Sequence, residues 1–101
     1  MPRELFKELL EKSRYVNSTY FSLRYRLSHE SEPKIGVSVS KKISKKAVVR
    51  NTLRRRVYSS LRPSLAGLPK GLFLFVAKPG AEKLRGQSLQ DEIELLLKGL
   101  V

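Results

Sequence analysis

Residues that could perform acid–base or metal chemistry are few in this chain of 101 residues, and their spacing suits none of it. Glu4, Glu8 and Glu11 fall at helical spacing near one end, and Asp91, Glu92 and Glu94 cluster near the other. Carboxylates at helix N-termini ordinarily partner the helix dipole, whereas a hydrolytic pair must flank a substrate bond at a set separation. His29 is the sole histidine and lies in a polar turn, and the chain has no cysteine. Neither a nucleophile with its base nor an imidazole or thiolate metal centre can be assembled from that set. A glycine-rich phosphate loop is also missing. The residues therefore predict no catalytic group, no metal and no cofactor bound by the protein alone.

Groups that can hold phosphate are plentiful and gathered in one place. The chain carries 21 Lys and Arg against 9 Asp and Glu, a net charge of +12. From Pro33 to Ala81 there are twelve cations and no acid, while the flanking segments hold nine of each and sum to zero. Such an excess repels itself unless a polyanion offsets it. Its centre is the segment holding Lys41, Lys42, Lys45, Lys46, Arg50, Asn51, Arg54, Arg55 and Arg56. Arginine outnumbers lysine in its second half, and the planar guanidinium grips phosphate through two parallel bonds and stacks on bases. Neutralising ~6 phosphates would give log K a slope of about −4 to −5 against log salt.

Those cations need elements to position them. Pro2, Glu4 and the spacing of Leu5, Phe6, Leu9 and Leu10 predict a first helix ending near Ser13. A short strand from Arg14 to Val16 is weakly signalled. Tyr20 to Leu27 alternates, with Phe21, Leu23, Tyr25 and Leu27 on one face and Tyr20, Ser22, Arg24 and Arg26 on the other. Lys34 to Ser40 alternates again, and with the polar turn from Ser28 to Pro33 the two strands read as an antiparallel hairpin. The outer face of the second strand, Gly36, Ser38 and Ser40, is small enough for close approach to its backbone.

A helix is predicted from about Lys46 to Arg62, stopped by Pro63. Val49, Leu53, Val57 and Leu61 form its packing stripe, Asn51, Arg54, Arg55, Tyr58 and Arg62 lie opposite, and Arg50 and Arg56 flank the stripe. Solvated helix faces usually mix signs at four-residue spacing, yet this helix has no acid to pair with its arginines. The four lysines of the preceding turn add to the anion-attracting helix N-terminus. Ser64 to Lys70 reads as a loop. Leu72 to Ala77 is apolar on both faces, as suits a strand buried between neighbours. Ser88 and Asp91 form a capping box ahead of a last amphipathic helix through Leu89, Ile93, Leu96, Leu97 and Leu100. The expected fold is α+β, one RNA-binding domain over residues 1–101, in the order α-β-β-(β)-α-β-α with helices on one mostly antiparallel sheet.

Gly36-Val37-Ser38-Val39-Ser40-Lys41-Lys42, then Lys46-Ala47-Val48-Val49-Arg50-Asn51 and Arg54-Arg55, resembles the protein subunit of bacterial ribonuclease P, and the element order agrees from Phe6 to Leu97. The resemblance implies a ribosomal-protein-S5-domain-2-like fold. It also implies assistance to a catalytic RNA subunit that uses magnesium to remove the 5′ leader of precursor tRNA. On that resemblance Lys46, Arg50, Asn51, Arg54 and Arg55 contact the RNA subunit, and a cleft between the first helix and the sheet holds the single-stranded leader. Cleft candidates are Phe6, Phe21, Arg24, Tyr25, Ser38 and Ser40. Phe21 and Tyr25 share a face with Leu23 and Leu27, so core packing is the equal alternative for them, with Tyr20, Arg24 and Arg26 able to form a basic rim on the other face. Thr52 stands where the family usually has arginine, and Tyr58 where another basic residue is common.

On the residues alone, a structural RNA-binding protein of ribosomal type remains an alternative, since that class shares this size, charge and build. A DNA-binding helix is disfavoured because no helix-turn-helix pair surrounds the basic helix. No run reaches the ~18 to 20 apolar residues that span a bilayer, and the N-terminus lacks a signal-peptide core. With cysteine absent, a cytoplasmic location is expected, with no membrane and no small-molecule substrate.

Overall fold

The computed structural model describes residues 13–27 and 32–100. The expected first helix with Phe6, and the turn residues around His29, lie outside the described residues. Within them the order is β1 (Arg14–Asn17), β2 (Phe21–Leu27), β3 (Lys34–Ser38), α1 (Ala47–Leu61), a 3₁₀ turn (Arg62–Gly67), β4 (Gly71–Ala77), a second 3₁₀ turn (Ala81–Lys83) and α2 (Gly86–Lys98). The weakly signalled first strand is real and one residue longer than expected.

The four strands form one mixed sheet in the order β1-β2-β4-β3. β1 with β2 and β2 with β4 are antiparallel, and β3 with β4 is parallel. The expected hairpin of β2 with β3 is therefore wrong, because β4 lies between them. The reason is in β4 itself, where Leu72, Phe73, Leu74 and Phe75 are all buried. A strand apolar on both faces belongs in the middle of a sheet, where both backbone edges are also paired. Parallel pairing of β3 with β4 requires a crossover connection, and α1 supplies it.

Register then sorts the side chains. Val16, Leu23, Phe75 and Val37 are aligned across the sheet, and so are Tyr15, Arg24, Leu74 and Gly36 on the opposite face. The first face carries the main core. Phe21, Leu23, Tyr25, Phe73 and Phe75 pack there with Leu53, Val57 and Leu61 of α1 and Leu89, Ile93 and Leu96 of α2. Each such side chain contributes about 1.5 to 3 kcal/mol by leaving water. Val49, the first residue of the expected α1 stripe, is only half-buried. On the opposite face Leu72 and Leu74 make a separate small cluster with Val76.

Helix limits differ slightly from expectation. The chain continues past Leu61 as a 3₁₀ turn with Pro63 near its start, where a missing N–H costs nothing. Ser88 is the third residue of α2 and not its cap: its Oγ accepts from the Arg85 N–H at 3.2 Å and donates to the Arg85 carbonyl at 2.7 Å. The helix consequently begins at Gly86, whose φ of +51° is open to glycine.

Candidate RNA interface

The lysine turn is held from beneath. Ile43, between the two lysine pairs, packs its side chain against the main core. Its N–H donates to the Ser40 carbonyl at 3.0 Å, and the Lys42 N–H donates to Ser40 Oγ at 3.3 Å. Lys41, Lys42, Lys45 and Lys46 are left exposed around that anchor. Lys46 is extended, no side chain caps α1, and its first turn contains no acid. Open N–H groups at the positive end of the dipole thus sit beside four ammonium groups, an arrangement that attracts phosphate.

The helix side chains divide by task. Arg50 donates from Nη1 to the carbonyls of Ser44 at 2.9 Å and Lys45 at 3.0 Å, so it braces the turn as well as carrying charge. Arg54 donates from Nη1 to Asn51 Oδ1, which couples these two candidates. Thr52 donates to the Val48 carbonyl at 2.8 Å within its own helix. Tyr58 reaches the free edge of β3, where its hydroxyl donates to the Ile35 carbonyl at 3.4 Å. Arg55 and Arg56 have no hydrogen-bonding or ionic partner among the described residues.

Two hollows flank α1. One, of about 310 Å³, is bounded by the β3 segment from Gly36 to Val39 with Arg54, Tyr58 and Leu74. The other, of about 380 Å³, lies between α1 and the start of α2 and is lined by Thr52, Arg55, Arg56, Ser59, Ser60 and Gln90 among others. Neighbouring arginines 54 and 55 therefore face different concavities. A roomier hollow of about 570 Å³, bounded by Leu27, Pro63, Leu68, Pro69 and Leu97 among others, has Lys98 as its one lining cation and lies apart from the lysine turn.

The expected leader residues separate. Phe21 and Tyr25 are 0% and 2% exposed, and the Tyr25 ring stacks on Phe73 at 6.4 Å between centroids. That corrects their assignment to a cleft: the core alternative holds, because their face of β2 is the one both helices cover. Ser38 lines the hollow beside Arg54 and Tyr58. Ser40 falls beyond β3 and shapes the lysine turn. Arg24 is on the face away from α1 and α2, with its Cζ 4.8 Å from the centre of the Tyr15 ring. Tyr20 does not join that rim, because it precedes β2 and packs against the core. Tyr15 escaped sequence reasoning, although strand alternation from Val16 would have turned it outward beside Arg24.

No polar or charged residue is buried among the described residues, and no group of three or more His, Cys, Asp or Glu there could hold a metal ion. The sequence matches the family model described as Ribonuclease P over residues 2–101. It is 29% identical over 96 residues to the ribonuclease P protein component of Xanthomonas campestris, covering 95% of this chain and 64% of that protein. It is 35% identical over 97 residues to the component of a Pseudanabaena species, covering 94% of this chain and 84% of that one. In fold it is similar to the Staphylococcus aureus RNase P protein, with a TM-score of 0.87 at 22% identity over 97% of this chain and 90% of that one. With the family match reaching every residue but the first, the chain belongs to the Ribonuclease P family of protein components.

Proposed function

We propose that this protein is the RNA-binding subunit of a ribonuclease P ribonucleoprotein, and that residues 1–101 act as one RNA-binding domain. The observation that carries this reading is the acid-free cationic surface from Lys41 to Arg56, in which the described bonds of Arg50 and Arg54 go to carbonyl and amide oxygens and none to a carboxylate. Lys41, Lys42, Lys45, Lys46, Arg50, Asn51, Arg54, Arg55 and Arg56 bind the RNA subunit. The single-stranded leader of precursor tRNA lies on the sheet face that carries Arg24 and Ser38, with Phe6 retaining the role the family resemblance gives it. Hydrolysis and its magnesium belong to the RNA, and the particle works in the cytoplasm.

The protein's contribution is then positional and electrostatic. Its cations lower the repulsion between two polyanions and so reduce the magnesium that the RNA needs to hold its substrate. The test is reconstitution: purified protein is added to a bacterial ribonuclease P RNA with precursor tRNA at low magnesium, and leader removal is followed. Stimulation is expected. Failure with every plausible cognate RNA would overturn the assignment.

A further inference from the structure

Tyr15 sits on the edge strand β1, is 55% exposed, and belongs to neither apolar cluster. Its neighbour Val16 turns into the core, so alternation forces the Tyr15 ring outward, directly across from Arg24 in the β1–β2 register. The Arg24 guanidinium carbon stands over that ring at 4.8 Å from its centre. An exposed aromatic ring with a cation on it is a surface to which a flat, electron-rich ligand can add as a further layer.

We propose that Tyr15 and Arg24 form a stacking platform for one base of single-stranded RNA, a role that rests on the reading of this face as the leader surface. Stacking uses the π-face that every base has, so the platform is tolerant of sequence, and it selects single strands because duplex bases are already stacked. Arg24 serves twice, holding the ring in place and supplying charge toward the backbone of the same nucleotide. The platform ends the row Tyr15, Arg24, Leu74, Gly36, whose other end lines the hollow beside Arg54 and Tyr58. At the usual strand spacing the two ends are about 14 Å apart. The leader surface thus has an aromatic contact at each margin of the sheet.

The experiment uses the full-length protein and its Tyr15→Ala, Tyr15→Phe and Arg24→Gln variants. Binding is measured by fluorescence anisotropy to a single-stranded oligoribonucleotide, to the same oligomer with abasic positions, and to a duplex of equal phosphate count. Tyr15→Ala should bind the single strand about 5- to 100-fold more weakly, the loss of one stacked base, while Tyr15→Phe stays close to wild type. Arg24→Gln should lose affinity for the single strand as well. The abasic oligomer and the duplex should bind wild type and Tyr15→Ala alike. Equal binding of the single strand by wild type and Tyr15→Ala, or an equal loss on all three ligands, would overturn the platform. Reconstituted leader removal by wild type separates the two ideas. Stimulation with no Tyr15 effect sinks the platform alone, and base-dependent binding through Tyr15 without stimulation supports the platform while sinking the subunit assignment.

Discussion

Arg50, one turn into α1, donates through a single guanidinium nitrogen to the carbonyl oxygens of both Ser44 and Lys45, at 2.9 and 3.0 Å. The residue that the charge map offers as a phosphate ligand is thereby also the brace of the lysine turn. Arg50→Ala should weaken RNA binding beyond the loss of one phosphate contact, because Lys45 and Lys46 lose their fixed placement. Charge-assisted hydrogen bonds contribute roughly 1.5 to 3 kcal/mol each, less where exposed, so the melting temperature should fall as well. Arg50→Lys keeps the charge without the two-carbonyl geometry and should recover only part of the affinity. Titration of both variants at several salt concentrations checks this, and full recovery by lysine would reduce Arg50 to a point charge.

Arg54 and Arg55 are adjacent in sequence yet line hollows on opposite sides of α1. If each meets its own stretch of RNA, Arg54→Ala and Arg55→Ala should each lower the salt slope by about 0.7 to 0.9. Their losses should then add to within about 0.5 kcal/mol in the double variant. A larger coupling would mean that both grip one phosphate.

Lys78 belongs to the acid-free region, but its use is structural. Its Nζ donates to the Ser18 carbonyl at 2.9 Å, and its N–H donates to the Tyr20 carbonyl at 2.9 Å. Together these bonds tie the β1–β2 turn to the end of β4. Lys78→Gln should cost about 1 kcal/mol of stability and leave the salt slope of RNA binding unchanged. A slope that falls by a full phosphate would place Lys78 in the interface.

Gly71 opens β4 with a φ of +150°, opposite Leu27 in the β2–β4 pairing. A Cβ there would collide with the Arg26 carbonyl oxygen and lie 2.9 Å from the Leu27 Cα. Both obstacles are backbone, which a rotamer change cannot relieve. Gly71→Ala should therefore cost more than about 1 kcal/mol, the most that such a change gains where the backbone accepts it, and lower the melting temperature by several degrees. Thermal unfolding by circular dichroism gives the answer.

Unneutralised charge should also govern the free protein. Phosphate or sulfate at millimolar concentration should raise the melting temperature more than chloride at matched ionic strength, because bound anions stabilise the folded state by mass action while chloride chiefly screens. Equal effects would argue that no anion site is formed before RNA arrives.

Much of this molecule is legible in its residues because the signals are local. Alternation in Tyr20 to Leu27, the stripe of Leu53, Val57 and Leu61, and the acid-free run from Pro33 to Ala81 depend on side chains within a few positions of one another, so the elements and the basic surface follow from sequence. The strand order does not. Sheet partners are joined by backbone N–H and C=O groups that are the same in every residue, so although the apolar faces of β4 mark it as a strand between neighbours, only the fold shows that those neighbours are β2 and β3. That one fact decided the rest. With β4 central, α1 and α2 cover the face of Phe21 and Tyr25 and make them core, and the opposite face carries Arg24, Ser38 and the unanticipated Tyr15 around the small cluster of Leu72, Leu74 and Val76. The same holds for Arg50, whose charge is written in the sequence but whose bonds to Ser44 and Lys45 exist only because the turn folds back over the first turn of α1.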